Sequence, residues 1–422
     1  MTSEQAFLVT VQFDPRFSKV GGKWAIDDEA NELRELSVSS GCRVVGEVRA
    51  RRHEPIAGTF LGRGKLEEIA DAAQRLKSQV VIFSQDLSPA QQRNIEELLQ
   101  VKTIDRTQLI LDIFAQRAKS QEGKVQVELA QLRYLLPRLV GKGVMLSRLG
   151  GGIGTRGPGE QKLEIDRRRI RLRISRLGDA LQKLGRRREA TRSRRKEAEI
   201  PVAALVGYTN AGKTTLLNRV TGTGATAANQ LFTTLDPLAR RLRLPSGETV
   251  VVTDTVGFLH RLPHHLIEAF KATLEEARDA DLLLHVLDAS HPLVSEHAQA
   301  VDDVLKELVL GQKPRITVLN KRDLVENPLE LAALERAYAP ACSISAKLGI
   351  GLDRLYAQID HQLTLLLTAP TRLRVPADRV DVISSIYEQG GVLRREDLNE
   401  HVLLTARLPA KLKTLLAAYL LS

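Results

Sequence analysis

Apolar residues recur along the 422-residue chain with two periods, and the change from one to the other marks out its elements. Runs of strand type, FLVTVQF (7–13), CRVVGEVRARR (42–52) and VVIFSQD (80–86), alternate with helical spacing over 27–40, 61–77 and 88–100. Strands interleaved with helices predict a parallel sheet. Ser88 before Pro89 puts a hydroxyl at the N-cap and proline in the first turn, which predicts a helix start there. Residues 105–139 read as one long helical stretch, ended by Pro137 and the glycines beyond it. In the next helix Leu163, Ile170, Ile174, Leu177, Leu181 and Leu184 hold three-and-four spacing. Between the two helices lies a glycine-rich stretch, GKGVMLSRLGGGIGTRGPGE (141–160). The combination predicts an antiparallel helical hairpin with a flexible basic tip.

Strand-like runs return after residue 199 as PVAALV, TVVVTDT, RITVL and CSIS, with helices at 266–278 and 296–308. Past Ala369 and Pro370 the character changes again, and 371–422 reads as a small α+β appendage. The pattern predicts an α/β protein in four parts. These are a small N-terminal α/β domain (1–104), the helical hairpin (105–198), a second α/β domain (199–369) and the C-terminal unit (370–422). The second domain is expected to hold a mostly parallel sheet with helices on both faces.

Composition narrows the setting. No apolar run reaches the roughly 20 residues of a membrane helix, and the N-terminus lacks the basic start and apolar core of a signal peptide. The two cysteines, Cys42 and Cys342, lie far apart and form no metal-ligand spacing, which points to a reducing, cytoplasmic compartment. The net charge of +11 is concentrated: residues 138–199 carry 19 Lys and Arg against 7 Asp and Glu, and the rest of the chain nearly balances. A charged helix face is ordinarily just solvated. Here one sign persists over many turns and is mostly arginine, the footprint of a polyanion partner. With 4% aromatic residues there are few rings to stack bases, which favours structured RNA met through its backbone and shape. Gly152, Gly154 and Gly157 match a dinucleotide fingerprint in spacing alone; no strand precedes them, so the match is discounted. The Gly62-Arg63-Gly64-Lys65 turn reads as a plain strand-to-helix connection.

The chemistry centres on GYTNAGKTT (207–215), which contains G-x-x-x-x-G-K-[ST] between a strand-type run and a helical one. Gly207, Tyr208, Thr209, Asn210, Ala211 and Gly212 supply a loop whose amides turn inward around phosphate oxygens, and the helix N-terminus behind it adds partial positive charge. Lys213 would reach the β- and γ-phosphates, and the Thr214 hydroxyl, beside Thr215, would bind Mg²⁺. Asn210 either brings in a monovalent cation such as K⁺ or simply shapes the loop. Asp254, Thr255, Val256 and Gly257 end the run TVVVTDT; Asp254 would hold the Mg²⁺ shell and the Gly257 amide would sense the γ-phosphate. Base identity rests on Asn320, Lys321 and Asp323 of NKRD. A carboxylate there accepts two hydrogen bonds that guanine offers and adenine does not. Ser345, Ala346 and Lys347 would complete the base site at guanine O6. Between these motifs, Thr233 and Thr234 are candidates for a switch threonine that closes on Mg²⁺, and the expectation falls on Thr234. After D-x-x-G stands Phe258, whose ring cannot orient water by hydrogen bonding, so unaided hydrolysis is expected to be slow.

GYTNAGKT, TTLDP, DTVGF, NKRD and SAK in this order closely resemble the motifs of translation-factor-class GTPases. The upstream stretch GKGVMLSRLGGGIGTRGPGEQKLEIDRRRIRLRI, with FLGRGKLEEI before it, is similar to the HflX family, and the resemblance covers residues 1–370. It implies hydrolysis of GTP to GDP and phosphate with Mg²⁺, and binding to the large ribosomal subunit and its RNA through the hairpin. It further implies splitting or rescue of stalled or stress-inactivated ribosomes. That family also carries a hydrophobic residue where Phe258 stands, whereas nothing transfers to the C-terminal unit. A monomer is the expected state. Two other classes share part of the pattern: a kinase-like phosphotransferase, which NKRD argues against, and an RNA-binding assembly factor that uses GTP as a switch with little turnover.

Overall fold

The computed structural model describes residues 3–14, 24–139, 158–197, 200–222, 232, 238–260, 271–367, 370–398, 400–408 and 410–421. Its first sheet is wholly parallel, with order β2-β1-β3-β4 built from β1 (Gln5–Phe13), β2 (Arg43–Arg52), β3 (Val80–Phe83) and β4 (Lys102–Ile104). Every residue of β3 is buried because helices cover both faces. Leu33 of α1 (Ile26–Ser39) and Leu109 of α4 (Arg106–Arg117) pack on one side; Leu66 of α2 (Arg63–Arg75) and Ile95 of α3 (Pro89–Leu99) pack on the other. The start of α3 is as expected. Ser88 Oγ accepts from the Gln91 amide, and the Gln91 side chain accepts from the Ser88 amide. Strand β4, three residues long, is too short to show in the apolar pattern.

The helical stretch read as continuous from 105 to 139 is broken. After α4, Ala118 takes extended backbone and Ser120 caps a new helix, α5 (Gln121–Leu135), by accepting from the Gly123 amide at 2.9 Å. A serine able to bind backbone just past a strong helix outcompetes continuation of the helix. Asp105 fixes the root of the hairpin: its carboxylate accepts from the Gln108 amide, the Tyr134 hydroxyl, the Leu87 amide and Arg138.

The returning helix, α6 (Pro158–Glu197), has 40 residues and is about 60 Å long at 1.5 Å per residue. Arg173 sets Nε and Nη2 on the two oxygens of Glu128 in α5 at 2.7 and 2.9 Å, so the two helices lie side by side. Leu177 is buried, Ile170, Ile174, Leu181 and Leu184 are half-buried, and the off-stripe Ile165 and Leu172 are exposed. The glycine-rich joint falls largely outside the described residues.

The second sheet has order β10-β9-β8-β5-β7-β6, comprising β5 (Val202–Gly207), β6 (Leu238–Arg243), β7 (Thr249–Asp254), β8 (Leu282–Asp288), β9 (Arg315–Asn320) and β10 (Ala341–Ser343). All pairings are parallel except that of the edge strand β6 with β7. Leucines of α7 (Lys213–Thr221) and α11 (Leu352–Leu367) cover one face. The other face packs on Ala277 of α8 (Lys271–Asp279) and Val301 of α9 (Val294–Glu307), while α10 (Pro328–Ala337) flanks β10. One apolar cluster runs from Leu33 and Phe114 through Trp24, Tyr208 and Phe258 to Leu283, so the N-terminal unit packs against the end of this sheet that carries its P-loop.

The C-terminal residues form a three-stranded antiparallel sheet, order β11-β13-β12, from β11 (Thr371–Pro376), β12 (Gly391–Asp397) and β13 (His401–Arg407). Ile386 of α12 (Val380–Gln389) and Leu412 of α13 (Ala410–Leu415) cover one face of it. The final helix is short: α13 stops at Leu415 and a 3₁₀ turn, Ala417–Tyr419, follows. Among the described residues no helix is long and apolar enough to cross a membrane.

Candidate functional site

The site is built at the C-terminal ends of the parallel strands, where an α/β sheet leaves room for a ligand. Strand β5 delivers the loop 207–212 and α7 begins at Lys213 behind it. Gly212 has φ +93°, and a Cβ there would lie 2.2 Å from Asn320 Nδ2, so both its backbone and its neighbour demand glycine. The closeness of Asn320 has a purpose: its Nδ2 donates to the Ala211 carbonyl at 2.8 Å, joining the base-reading loop to the phosphate loop.

Lys213 is buried and folds back over its own loop, donating to the carbonyls of Gly207 (3.0 Å) and Tyr208 (2.8 Å). Burial pulls its pKa down to about 8, with the Asp254 carboxylate pulling the other way. Thr214 Oγ1 donates to Asp254 Oδ2 at 2.7 Å, both side chains buried. Two hard oxygen donors together beside the lysine suit a partly hydrated Mg²⁺. Thr255 turns its hydroxyl to the Leu205 carbonyl at 2.6 Å, and Val256 is buried, so these two hold the segment rather than face the ligand. Asn210 stands exposed at φ +62° and Thr215 is half-buried on α7. Thr233 and Thr234 lie outside the described residues; Phe232, just before them, meets the ring of Phe114 at 4.5 Å.

The segment after Asp254 is zipped onto the phosphate loop. The Thr209 amide donates to the Phe258 carbonyl at 2.8 Å and the Phe258 amide to the Gly207 carbonyl at 3.1 Å. Gly257 is pressed so close that a Cβ would lie 2.7 Å from Thr209 Cγ2 and 3.1 Å from Lys213 Nζ. A γ-phosphate that is to meet the Gly257 amide needs this space to open.

At the base end, Lys321 takes φ +62° and its ammonium pairs with Asp288 at 2.6 Å, which in turn accepts from the amide and hydroxyl of Ser290. Asp323 is exposed in the 3₁₀ turn Arg322–Leu324. Ser345 is fully buried and its hydroxyl accepts from the Leu348 amide, so it shapes the turn instead of reaching a base. The Ala346 amide donates to Asn320 Oδ1 at 3.0 Å, and Lys347 is exposed.

Two further groups belong to the site although they are not motif positions with an expected role in it. Arg219, at the end of α7, donates through Nε to the Ala346 carbonyl at 3.1 Å and through Nη2 to the Lys347 carbonyl, bracing the base loop from below. Glu32 of α1 accepts from the Tyr208 hydroxyl, whose oxygen in turn accepts from the His260 amide at 2.8 Å. Trp24 stacks on His260 (4.3 Å between centroids), and Tyr208 on His297 (3.9 Å). Burial, then His291, holds His297 down to about 3, so this stack is neutral. A cavity of about 210 Å³ lies between α1 and the loop, lined by Glu32, Glu35, Asn210, Asp288 and His291 among others. No sequence signal of local period marks Arg219 or Glu32.

A phosphate loop, an adjacent Thr–Asp oxygen pair and an Asn-anchored NKRD loop on this sheet define a P-loop GTPase. Family models agree along the chain: "GTP-binding GTPase N-terminal" matches residues 27–115, "GTP-binding GTPase Middle Region" 117–195, "50S ribosome-binding GTPase" 202–321 and "HflX C-terminal domain" 332–416. The GTPase HflX of Caldanaerobacter subterraneus subsp. tengcongensis is 45% identical over 420 residues, spanning 99% of this chain and 94% of that protein. The GTPase HflX of Escherichia coli is 44% identical over 362 residues, 86% of this chain and 85% of that one. A crystal structure of a GTP-binding protein from Sulfolobus solfataricus in complex with GDP is 25% identical, with a TM-score of 0.45 over 86% of this chain and 99% of that one. The chain belongs to the HflX family of GTPases.

Proposed function

We propose that this GTPase works on the large ribosomal subunit, hydrolysing GTP there to split or rescue stalled ribosomes. The observation that carries the reading is the pairing of a P-loop site with α6, a 40-residue arginine-rich rod braced on α5 by the Arg173–Glu128 fork. Arginine forks spaced along a rod suit phosphates of folded RNA, and the domain description matched at 202–321 names 50S binding. The glycine-rich stretch 141–160 would approach RNA closely at the tip, and the protein would act as a cytoplasmic monomer.

At the nucleotide, Lys213 would release the carbonyls of Gly207 and Tyr208 and take the β- and γ-phosphates. Thr214 and Asp254, with Thr234, would hold Mg²⁺, which would supply neutralisation of the phosphate charge. Asn210, exposed on the rim of the loop, would be the ligand for K⁺. Asn320, Lys321 and Asp323 would select guanine, and the Ala346 amide would exchange Asn320 Oδ1 for guanine O6. GTP would open the Thr209–Phe258 pairing, and subunit contact would order the water that Phe258 cannot hold.

Steady-state GTP hydrolysis with and without purified large subunits, with ATP as control, tests the reading, followed by gradient sedimentation of intact ribosomes. Strong stimulation and subunit separation are expected. Slow turnover unaffected by subunits, with binding retained, would favour an assembly switch instead.

A further inference from the structure

We propose that the outer face of the C-terminal sheet is a second RNA contact, gripping the phosphate backbone through Arg372 and Arg374 of β11. The register places both on one face. Leu373 and Val375 point inward opposite Leu404 and Val402, so Arg372 and Arg374 point outward opposite Thr405 and Leu403. Arg394 of β12 shares the outer face, across Thr405 from Arg372. The helices α12 and α13 pack on the inner face, the end of α11 meets the outer face at half-buried Arg407, and Arg372, Arg374 and Arg394 are exposed.

Pairing within this unit separates these two arginines from the others. Arg379 is forked onto Asp381, Arg394 pairs with Glu396 and Arg395 with Asp397, and Arg407 donates to the last carbonyls of α11. Among the described residues Arg372 and Arg374 have no ion pair and no side-chain hydrogen bond. Two residues apart on a strand, they stand about 7 Å from each other, the scale of successive phosphates along a nucleic acid strand. Guanidinium forks meet phosphates bidentately. The outward neighbours Leu403, Thr405 and His401 include no Phe, Tyr or Trp on which a base would stack, so the surface reads backbone rather than sequence. An anionic backbone of folded RNA is therefore the occupant that the charges fit. Taking the large subunit as its natural source rests on the function proposed above; the surface itself does not.

The test uses the full chain and the variant R372E/R374E, with R372K/R374K beside it. Binding is measured across a salt series to a labelled, protein-free RNA duplex and to purified large subunits. Charge reversal is expected to weaken both at least tenfold and to flatten the plot of log affinity against log salt by about 1 to 2, since each neutralised phosphate adds about 0.9 to that slope. The lysine pair keeps most of the slope, and RNA-free GTP turnover is unchanged in both variants. Unchanged affinity and slope on the duplex overturn the proposal. Loss on the subunit alone also overturns it, because the face then meets a ribosomal protein. Loss on the duplex in a chain that never binds subunits upholds this surface and sinks the ribosomal function instead.

Discussion

The hydroxyl of Tyr208 donates to Glu32, so the second residue of the phosphate loop is tied directly to the first helix of the N-terminal unit. The same oxygen accepts from His260, two residues past Phe258, at 2.8 Å. One phenol thereby links the loop, the segment that must move for the γ-phosphate, and a helix far away in sequence. Tyr208→Phe removes the hydroxyl that bonds both Glu32 and the buried His260 amide and is expected to cost about 1–3 kcal/mol. Thermal unfolding should shift down, and amide exchange should quicken in α1 and around residue 260. An unaltered exchange pattern would mean that stacking alone holds these parts together.

Lys213 should make nucleotide binding pH-dependent. Its folded pKa is lowered to about 8, while the free amine keeps its proton to about 10.4. Between those values the unfolded chain binds more protons, so this residue's contribution to stability rises with pH across that window. Phosphate binding needs the ammonium and so runs the other way. GDP affinity is expected to fall above about pH 8, by at most tenfold per unit, with proton uptake on binding. Calorimetry in two buffers of different ionisation heat checks both; a flat affinity would place Lys213 away from the phosphates.

Phe258 is 2% exposed and its ring belongs to the apolar cluster between the two sheets. Phe258→Ala is expected to cost about 3–5 kcal/mol in unfolding free energy. Phe258→Gln should not speed hydrolysis, because the side chain is directed into that cluster. A faster Phe258→Gln enzyme with unchanged melting would show that the ring leaves the core during turnover.

Arg219 should govern base discrimination without touching the base. Removing its two bonds to the carbonyls of Ala346 and Lys347 in Arg219→Gln is expected to cost about 1–2 kcal/mol of guanine binding, roughly tenfold in affinity. Displacement of a fluorescent GDP, with the diphosphate of 2-aminopurine riboside, which lacks the 6-oxygen, as comparator, reads this. Arg219→Lys should recover part of the loss. Equal losses for both bases would assign Arg219 to general folding.

On α6, among the described residues, Arg167, Arg169 and Arg171 make only long pairs with Glu164 or Asp166, at 3.6 to 3.8 Å. Pairs this long at exposed or half-buried side chains hold little energy, so these arginines remain available to phosphates. Neutralising them together with Arg168 should weaken subunit binding and lower its salt dependence by about 0.9 for each phosphate left without its arginine. An unchanged salt slope in sedimentation assays would remove the rod from RNA binding.

Much of this is legible in the chain itself. The strand–glycine loop–helix unit at 202–221, the capped start of α3, the apolar stripe of α6 and the parallel first sheet all follow from residues a few positions apart. Such features need only backbone conformation and period. The break at 118–120 escapes the apolar pattern because Ser120 competes locally with an otherwise helical run, and β4 escapes it because three residues give no period.

By itself, then, the sequence determined which groups the nucleotide site would hold: the loop glycines, Lys213, Thr214, Asp254 and NKRD. The tertiary structure alone decided what braces and restrains them. Arg219 meets Ala346 across 127 positions and Tyr208 meets Glu32 across 176, pairings that no local pattern encodes. It also decided that Ser345 faces its own turn and that Arg372 and Arg374 share the outer face of the C-terminal sheet. Motif residues are fixed by the chemistry of phosphate and guanine and so repeat in order; their supports are fixed by which surfaces happen to pack, which only the folded chain can settle.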